Sequence, residues 1–319
     1  MRKISLLIGL AACSHGMNGN GDDTQQPDAP HGGSDGSIHI DSPASGGHTT
    51  VFTILMENHD YAEIVGSSNA PYVNSLIADY GLATSYMDTG HPSTPNYLHM
   101  ISGDNQYPGV IDVEPQTPFL FPSANPSLGG QLQAANIKWR SYQESEATPC
   151  MLTDDGDYAP KHDPFLYFSE IQTAPNNLCA DVSVDYTNFA ADLATNTYGY
   201  MWITPNLTSD GHNPTTDPVG ALKTSDTWLK NNVPAILASD GYKNGGVLFI
   251  TWDEAEGRNG DNGDQVPMIV ISPKIKTAGM TSATAFTHSS YLATVEDLLA
   301  LPRLATVTST QNMMEFLNP

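Results

Sequence analysis

Short apolar runs alternate with helical segments along most of this chain. The runs Val51–Met56, Tyr200–Thr204 and 246–252 have the length and the β-branched and aromatic content of buried strands. Helices are expected over 70–80, 127–135, 185–194, 218–238 and 289–299, and further strands over 137–142 and 266–271. Strands that alternate with helices predict a three-layer α/β fold, in which a mostly parallel sheet carries helices on both faces. Ligands of such sheets bind at the carboxyl ends of the strands.

The N-terminus has the pattern of an export signal. Arg2 and Lys3 are followed by the apolar stretch 4–10, which is too short to span a bilayer. The ending Leu-Ala-Ala-Cys13 resembles the lipobox of bacterial lipoproteins, in which the cysteine is lipidated. We therefore expect a lipoprotein-type signal peptide over 1–13, with an ordinary cleaved signal or a misplaced start as the alternatives. Both kinds of signal predict export. The lipobox predicts a protein that is lipid-anchored in the bacterial envelope, and an ordinary cleaved signal predicts a secreted protein.

Residues 14–48 are rich in Gly, Asp, Ser, Pro and Asn and contain almost no large apolar side chain. Such a segment cannot bury a core, so it is predicted to be a flexible tether before a catalytic domain over 49–319. Cys150 and Cys179 then remain in that domain. An even pair in an exported protein favours a disulfide, and the alternative, a thiol metal site, lacks the short cysteine spacing typical of zinc.

The charge balance restricts the partners. The chain has 12 basic and 35 acidic residues, a formal net charge of −23. Nucleic acid is excluded as a partner, because phosphate backbones are bound by Lys and Arg, and electrostatic docking on an anionic membrane is disfavoured. A protein this acidic that handles phosphate needs a cation in its site.

Ser93 has the setting of a nucleophile. It stands between two prolines in the octapeptide 90–97, just before a segment of helical character over 97–102. A hydroxyl at a helix start lies in the positive field of unpaired backbone N–H groups, where a phosphate can be held and attacked. The octapeptide alone is weak evidence, so its weight depends on the acidic and histidine residues elsewhere.

Two pairs of oxygen ligands follow predicted strands. Glu57 and Asn58 come directly after the first strand, and Asp253 and Glu254 follow a later one. Adjacent carboxylates at a strand end rarely serve packing, and a divalent cation satisfies them. The alternatives are an ordinary Asx turn for the first pair and a solvated loop start for the second.

Three histidines lie in separate polar loops: His162, His212 and His288. A single loop histidine is usually an exposed residue without a function in binding or catalysis. Three that converge can donate hydrogen bonds to a phosphate or protonate a leaving group.

The ordered set of motifs resembles the phosphoesterase family, which includes bacterial phospholipases C and the acid phosphatases of bacteria and fungi, and whose fold is similar to alkaline phosphatase. The motifs are Met-Glu57-Asn58, His-Pro-Ser93-Thr-Pro-Asn96-Tyr, Lys-His162-Asp-Pro, Thr-Pro-Asn with Asp210-Gly-His212, Trp-Asp253-Glu254 and Thr-His288-Ser-Ser-Tyr. They cover nearly everything from residue 51 to 301.

The resemblance implies a role for each matched residue. Ser93 matches the nucleophile that forms a phospho-enzyme, with His212 and His288 as catalytic histidines. The implied ligands of a divalent metal ion are Glu57, Asn58, Asp253 and Glu254, and the implied phosphate-binding residues are Asn96, His162 and Asp210. Gln265 stands where some members have histidine, which weakens a second metal site and leaves the metal's identity open.

The sequence thus favours an exported, metal-dependent hydrolase of phosphoric esters, most of all a phosphomonoesterase of the acid phosphatase type. A phospholipase C is the alternative within the family, so the expected substrate is a small phosphate ester or a phospholipid. A surface lipoprotein that binds phosphate or metal without catalysis is the alternative from another class. The apolar groups 119–121 and 165–168 are interpreted as packing residues and not as a lipid entrance.

Overall fold

The computed structural model describes residues 49–104, 112–173, 177–256 and 263–319. The predicted signal peptide and tether lie outside the described residues, so both remain predictions.

Ten strands are described in these ranges: β1 Val51–Met56, β2 Gly81–Ala83, β3 Tyr86–Met87, β4 Trp139–Gln143, β5 Ser183–Asp185, β6 Tyr200–Thr204, β7 Val247–Trp252, β8 Met268–Ile271, β9 Met280–Ser282 and β10 Phe286–Thr287. Eight form one sheet in the order β5-β4-β6-β1-β7-β8-β2-β9, and β10 pairs with β3. Only β8 runs antiparallel to its neighbours in that described sheet. β8 pairs antiparallel with β7 on one side and with β2 on the other.

The described helices are α1 Tyr61–Ile64, α2 Pro71–Asp79, α3 Ser93–Ser102, α4 Leu128–Ala134, α5 Ser169–Gln172, α6 Cys179–Val182, α7 Phe189–Thr195, α8 Pro218–Ala238, α9 Asp240–Lys243 and α10 His288–Leu298. Short 3₁₀ turns lie at Pro160–His162, Pro164–Tyr167, Tyr186–Asn188 and Met314–Phe316. None of the helices in the described ranges combines the length and the apolar character that a membrane span requires.

The central strands of the sheet form the buried core of the domain. All six residues of β1 are buried, as are all six of β7, because both strands are covered by helices. The Tyr291 hydroxyl of α10 hydrogen-bonds the Thr53 hydroxyl of β1 at 2.6 Å. Residues 165–168 are fully buried in this core, as predicted. The predicted three-layer, mostly parallel α/β arrangement is confirmed.

Two predicted helix boundaries were wrong. Helix α3 begins at Ser93 and not near 97, because a proline is tolerated in the first helical turn, where its missing N–H has no intrahelical partner. The helix expected over 185–194 begins at Phe189. Asp185 instead ends β5 and accepts a hydrogen bond from the Thr187 amide at 2.9 Å, which starts a 3₁₀ turn.

The predicted disulfide is confirmed. Cys150 and Cys179 are bonded, with their Cα atoms 5.2 Å apart. Beside it, the Ser183 hydroxyl donates to the buried Asp163 carboxyl at 2.7 Å and lies 3.2 Å from a second buried carboxyl, that of Glu146. Burial raises the pKa of Glu146 to about 7 and that of Asp163 to about 6.

We expect Glu146→Gln to flatten the fall in stability between pH 5 and pH 8. The pKa of Glu146 is about 7 in the folded protein against an ordinary 4.5, so the stabilisation from its proton is complete below pH 4.5 and is lost as pH rises through 7. The difference corresponds to roughly 3 kcal/mol of the free energy of unfolding. Thermal melts of both proteins at the two pH values measure it, and equal pH slopes would contradict this account.

Candidate active site

Three neighbouring strands, β6, β1 and β7, end at the same edge of the sheet and deliver the polar loops. The Glu57 amide donates to the Asp210 carbonyl at 3.0 Å, and the Asp253 amide donates to the Met56 carbonyl at 2.9 Å. These backbone bonds lock the loops after β6 and β7 onto the end of β1. Gly211 has φ of +104°, and a Cβ there would lie 3.1 Å from the His59 ring, so any other residue would be strained between Asp210 and His212.

The Ser93 hydroxyl lies among carboxylates. It donates to Glu57 Oε2 at 3.1 Å and reaches Glu254 Oε1 at 3.4 Å. Asn96, one turn later on α3, donates from Nδ2 to Glu254 Oε2 at 3.0 Å. Ser93 and Asn96 are both buried, at 2% and 0% exposure. Helix α3 therefore places both the predicted nucleophile and Asn96 in contact with the Glu254 carboxylate.

Four carboxyl groups at this edge are buried with no more than 4% exposure: Glu57, Asp210, Asp253 and Glu254. Burial raises the pKa of Glu57, and burial together with the charge of Glu57 raises the pKa of Asp210 and Asp253 well above the ordinary value. Burial raises the pKa of Glu254 to about 7. Clustered carboxyls of this kind are costly unless a cation compensates them.

His162 and Asp210 lie on the far side of Glu57. His162 Nε2 is 3.2 Å from Glu57 Oε1, and its Nδ1 is 3.8 Å from Asp210 Oδ2. The His162 ring stacks on Tyr97 with centroids 4.9 Å apart, and the Tyr97 hydroxyl donates to Glu57 Oε1 at 2.7 Å. Ligand atoms of Glu57, His162 and Asp210 lie within 4.8 Å of one another. These two residues, expected to bind phosphate, thus also form a metal-competent group with Glu57.

Asn58 lies between the two acidic loops. Its φ is +49°, a left-handed conformation that asparagine tolerates better than most residues. Its amide lies 3.4 Å from Asp253 Oδ1, and its side-chain oxygen is buried without a hydrogen-bond partner among the described residues.

An open cleft of about 260 Å³ gives access to this edge, and its lining includes Asn58, His91, His212 and Glu254. His91 Nδ1 lies 2.9 Å from Glu254 Oε1, and that hydrogen bond raises the pKa of His91. The His212 amide donates to Asp210 Oδ1 at 2.7 Å. The predicted His212 therefore shares the cleft with His91, for which the sequence left open a phosphate-binding or a turn-packing role.

His288 is placed differently from its expected position on the phosphate pocket. It is fully buried, with Nε2 2.7 Å from the Asp253 carbonyl and Nδ1 2.9 Å from the Tyr86 hydroxyl. Since a carbonyl only accepts, Nε2 carries the proton and Nδ1 accepts from Tyr86. Burial lowers the pKa of His288 to about 4, which keeps the ring neutral. This geometry fits a positioning residue for the Asp253 loop.

We expect His288→Ala to lower kcat/KM by about ten- to a hundredfold, since supporting hydrogen bonds of this kind tune a site by such factors. His288→Gln keeps an N–H that can reach the Asp253 carbonyl and should recover part of the loss, while Tyr86→Phe should have the smaller effect. Steady-state kinetics with thermal melts measure these changes. A Gln variant no better than the Ala variant would contradict a positioning role.

Three further residues of the site belong to matched motifs or adjoin them. Tyr97 and His91 both belong to the octapeptide around Ser93, and Lys161 directly precedes His162. Proximity in sequence to a matched motif was the available signal. It could not show that Tyr97 points at Glu57, because that contact joins residues 40 positions apart.

Comparison with known proteins decides the family. The model of the phosphoesterase family matches residues 66–302. The chain belongs to the phosphoesterase family. The matched span contains α3 and the loops after β6 and β7, whereas Glu57 and Asn58 of this phosphoesterase lie before it.

Its named relatives are phosphatases. The phosphatidylinositol-3-phosphatase of Mycobacterium tuberculosis is 27% identical over 81% of this chain and 79% of its own length. A probable acid phosphatase of Kluyveromyces lactis is 27% identical over 83% of this chain and 61% of its own. The acid phosphatase of Aspergillus fumigatus is 25% identical, and the match covers 58% of it. The chain thus spans under two thirds of these two fungal relatives. It is a hydrolase of phosphoric esters.

Solved structures confirm the fold alone. A protein of the alkaline phosphatase superfamily from Vibrio parahaemolyticus matches 85% of this chain with a TM-score of 0.55 at 11% identity, over 70% of its own length. The lipoteichoic acid synthase LtaP of Listeria monocytogenes matches 85% of this chain with a TM-score of 0.54 at 12% identity, over 75% of its own length. The predicted alkaline-phosphatase-like architecture is confirmed.

Proposed function

We propose that this phosphoesterase is a metal-dependent phosphomonoesterase of the acid phosphatase type that works through a phosphoserine at Ser93. The observation that carries the proposal is the Ser93 hydroxyl at the first position of α3, hydrogen-bonded to Glu57 and close to Glu254. A hydroxyl held between buried carboxylates at a helix N-terminus has both a proton acceptor and an anion-stabilising field beside it.

The residues present fit a divalent cation. Among the described residues, buried atoms without a hydrogen-bond partner include Asn58 Oδ1, Asp253 Oδ2, Asp210 Oδ2 and His162 Nε2. Oxygens with one imidazole are the donors that hard or borderline divalent ions take. Glu57, Asn58, Asp253 and Glu254 would hold the ion, and Asp210 and His162 lie close enough to Glu57 to contribute ligand atoms. When bound, it lowers the pKa of the serine hydroxyl and offsets phosphate charge.

The chain's own residues supply the remaining chemistry. The Ser93 Oγ–phosphorus bond forms as the bond from phosphorus to the ester oxygen breaks. The Ser93 proton passes to a carboxylate, of which Glu57 is nearest at 3.1 Å, and His91 or His212 in the cleft protonates the leaving oxygen. Water then attacks phosphorus, the phosphoserine bond breaks, and phosphate leaves with the hydroxyl restored.

A monoester is favoured over the diester of a phospholipase C. The five named relatives include four acid phosphatases and a phosphatidylinositol-3-phosphatase, and these names describe monoester hydrolysis. The cleft beside Ser93 is lined mainly by polar residues, and the apolar segment 165–168 is buried in the core. A phosphoinositide monoester therefore belongs among the substrates to be tested.

We also propose that the protein is exported and lipid-anchored. The N-terminal pattern ending at Cys13 supports this, and so does the Cys150–Cys179 disulfide, since disulfides persist in oxidising compartments. Incorporation of a labelled fatty acid, lost in Cys13→Ala, tests the anchor.

A substrate panel tests the proposed activity. Phosphate release from an aryl phosphomonoester, a phosphatidylinositol 3-phosphate and a phosphatidylcholine is measured with and without a chelator. We expect chelator-sensitive cleavage of monoesters and none of the diester. Cleavage of phosphatidylcholine alone would move the protein to phospholipase C, and chelator-resistant cleavage would contradict the metal.

A further inference from the structure

Lys161, which directly precedes His162, forms an ion pair with Asp112 beside the helix that carries the nucleophile. Its ammonium is paired with the Asp112 carboxylate, and the same carboxylate accepts a hydrogen bond from the Thr94 amide at 3.0 Å. Thr94 follows Ser93 directly in the first turn of α3. Asp112 therefore bridges a lysine and an unpaired amide at the N-terminus of the helix that carries the nucleophile.

The electrostatics connect this pair to the active site. Burial acts to lower the pKa of Lys161, but the charges of Glu57 and Asp112 raise it above the ordinary value, so the ammonium stays charged. Lys161 in turn acts to lower the pKa of Glu57 and of Asp210. Lys161 thus sets a positive charge beside two of the buried carboxyls of the site.

The groups that surround Asp112 are those that bind phosphate. The Thr94 hydroxyl is fully buried and makes no hydrogen bond of ordinary geometry within the described part of the chain, but it faces the Asp112 carboxylate and acts to lower its pKa. An amide, an ammonium and a hydroxyl are all donors to an oxyanion. We call the Thr94 amide and hydroxyl with the Lys161 ammonium the anion cradle. The Asp112 carboxylate, whose side chain is 31% exposed, occupies the anion cradle in this structure.

We propose that the anion cradle binds a non-bridging oxygen of the substrate phosphate, and that the Asp112 carboxylate occupies it until phosphate takes its place. This inference rests on the proposed function. Asp112 thus acts as an internal competitor: it keeps Lys161 in position within an acidic site and lowers the affinity for free phosphate. Lys161 is then a substrate-binding residue, and Asp112 sets how tightly product is held.

Isothermal titration of inorganic phosphate into the full chain tests the cradle, with wild type, Asp112→Asn, Lys161→Met and the double variant. Asp112→Asn keeps the size and the acceptor for Thr94 but loses the charge, so we expect Kd to fall about fivefold, while Lys161→Met should raise Kd about tenfold. The double variant should resemble Lys161→Met, because the competitor matters only while the cradle exists. Lys138→Met, which removes a lysine that lies over the Tyr198 ring, is the matched control and should leave Kd unchanged.

An Asp112→Asn variant that binds phosphate no tighter than wild type would overturn the proposal and leave Asp112–Lys161 a structural ion pair. Thermal melts identify a variant that fails to fold, and if Lys161→Met does so, Asp112→Asn decides alone. Turnover of an aryl phosphomonoester is measured in parallel. Turnover with unchanged phosphate affinities refutes the cradle alone, and cradle-dependent binding without turnover refutes the proposed function alone.

Discussion

Ser93→Ala is expected to abolish turnover while the protein stays folded. Removal of a covalent nucleophile costs at least about a thousandfold in kcat, since the two-step route through the phosphoserine is lost. The hydroxyl contributes a hydrogen bond to Glu57 at 3.1 Å and a longer one to Glu254, but no backbone cap to α3. Phosphate release and a thermal melt of both proteins measure the two effects.

A second serine provides a matched control. Ser127 is the N-cap of α4, where its hydroxyl accepts from the Gly130 amide at 3.1 Å. Ser127→Ala should cost about 1 kcal/mol of stability, as N-cap removal does, with turnover nearly unchanged. A Ser93→Ala variant that keeps near-normal activity would refute the covalent mechanism.

Asp253→Asn is expected to weaken metal binding and to lower the rate of turnover. The same change is expected to stabilise the metal-free protein. A neutral amide supports a divalent cation less well than a carboxylate. Without metal, burial and the charges of Glu57 and Glu254 raise the pKa of Asp253 well above its ordinary value, so removing this carboxyl should raise the melting temperature of the metal-free protein. Metal content by mass spectrometry, a melt in chelator and kcat provide the three readouts.

Asp226 is the matched control for this variant. It is a buried carboxylate, 4% exposed, that accepts hydrogen bonds from the amides of Tyr72 and Val73 at the start of α2. Asp226→Asn should lower the melting temperature and leave metal content unchanged. Unchanged metal content in Asp253→Asn would count against its assignment as a ligand.

The fold could largely be predicted because the strands are short apolar runs with clear ends. β1 and β6 lie where the sequence placed them. The two-residue pairing of β10 with β3 was not predicted, because strands so short carry no periodicity. The antiparallel direction of β8 depends on its pairing with β7 and β2, which a window of residues does not reveal.

The candidate residues could be found from motif order, but their neighbours could not. The Ser93 hydroxyl contacts both Glu57 and Glu254, while the roles of these residues stay predictions. The buried position of His288 under Asp253 depends on α10 packing across the sheet, a contact between residues 35 positions apart. The Thr94–Asp112–Lys161 arrangement likewise joins three separate segments. These roles come from tertiary packing, which motifs do not encode.

The measurement that most directly tests the central claim is capture of the phospho-enzyme. Wild-type protein is mixed with an aryl phosphomonoester, quenched in acid within one turnover and digested for mass spectrometry, with Ser93→Ala beside it. We predict a phosphorylated peptide with the phosphoryl group on Ser93, absent from the variant. Full turnover by the wild type with an unmodified Ser93 peptide, or a phosphoryl group on another residue, would contradict the account.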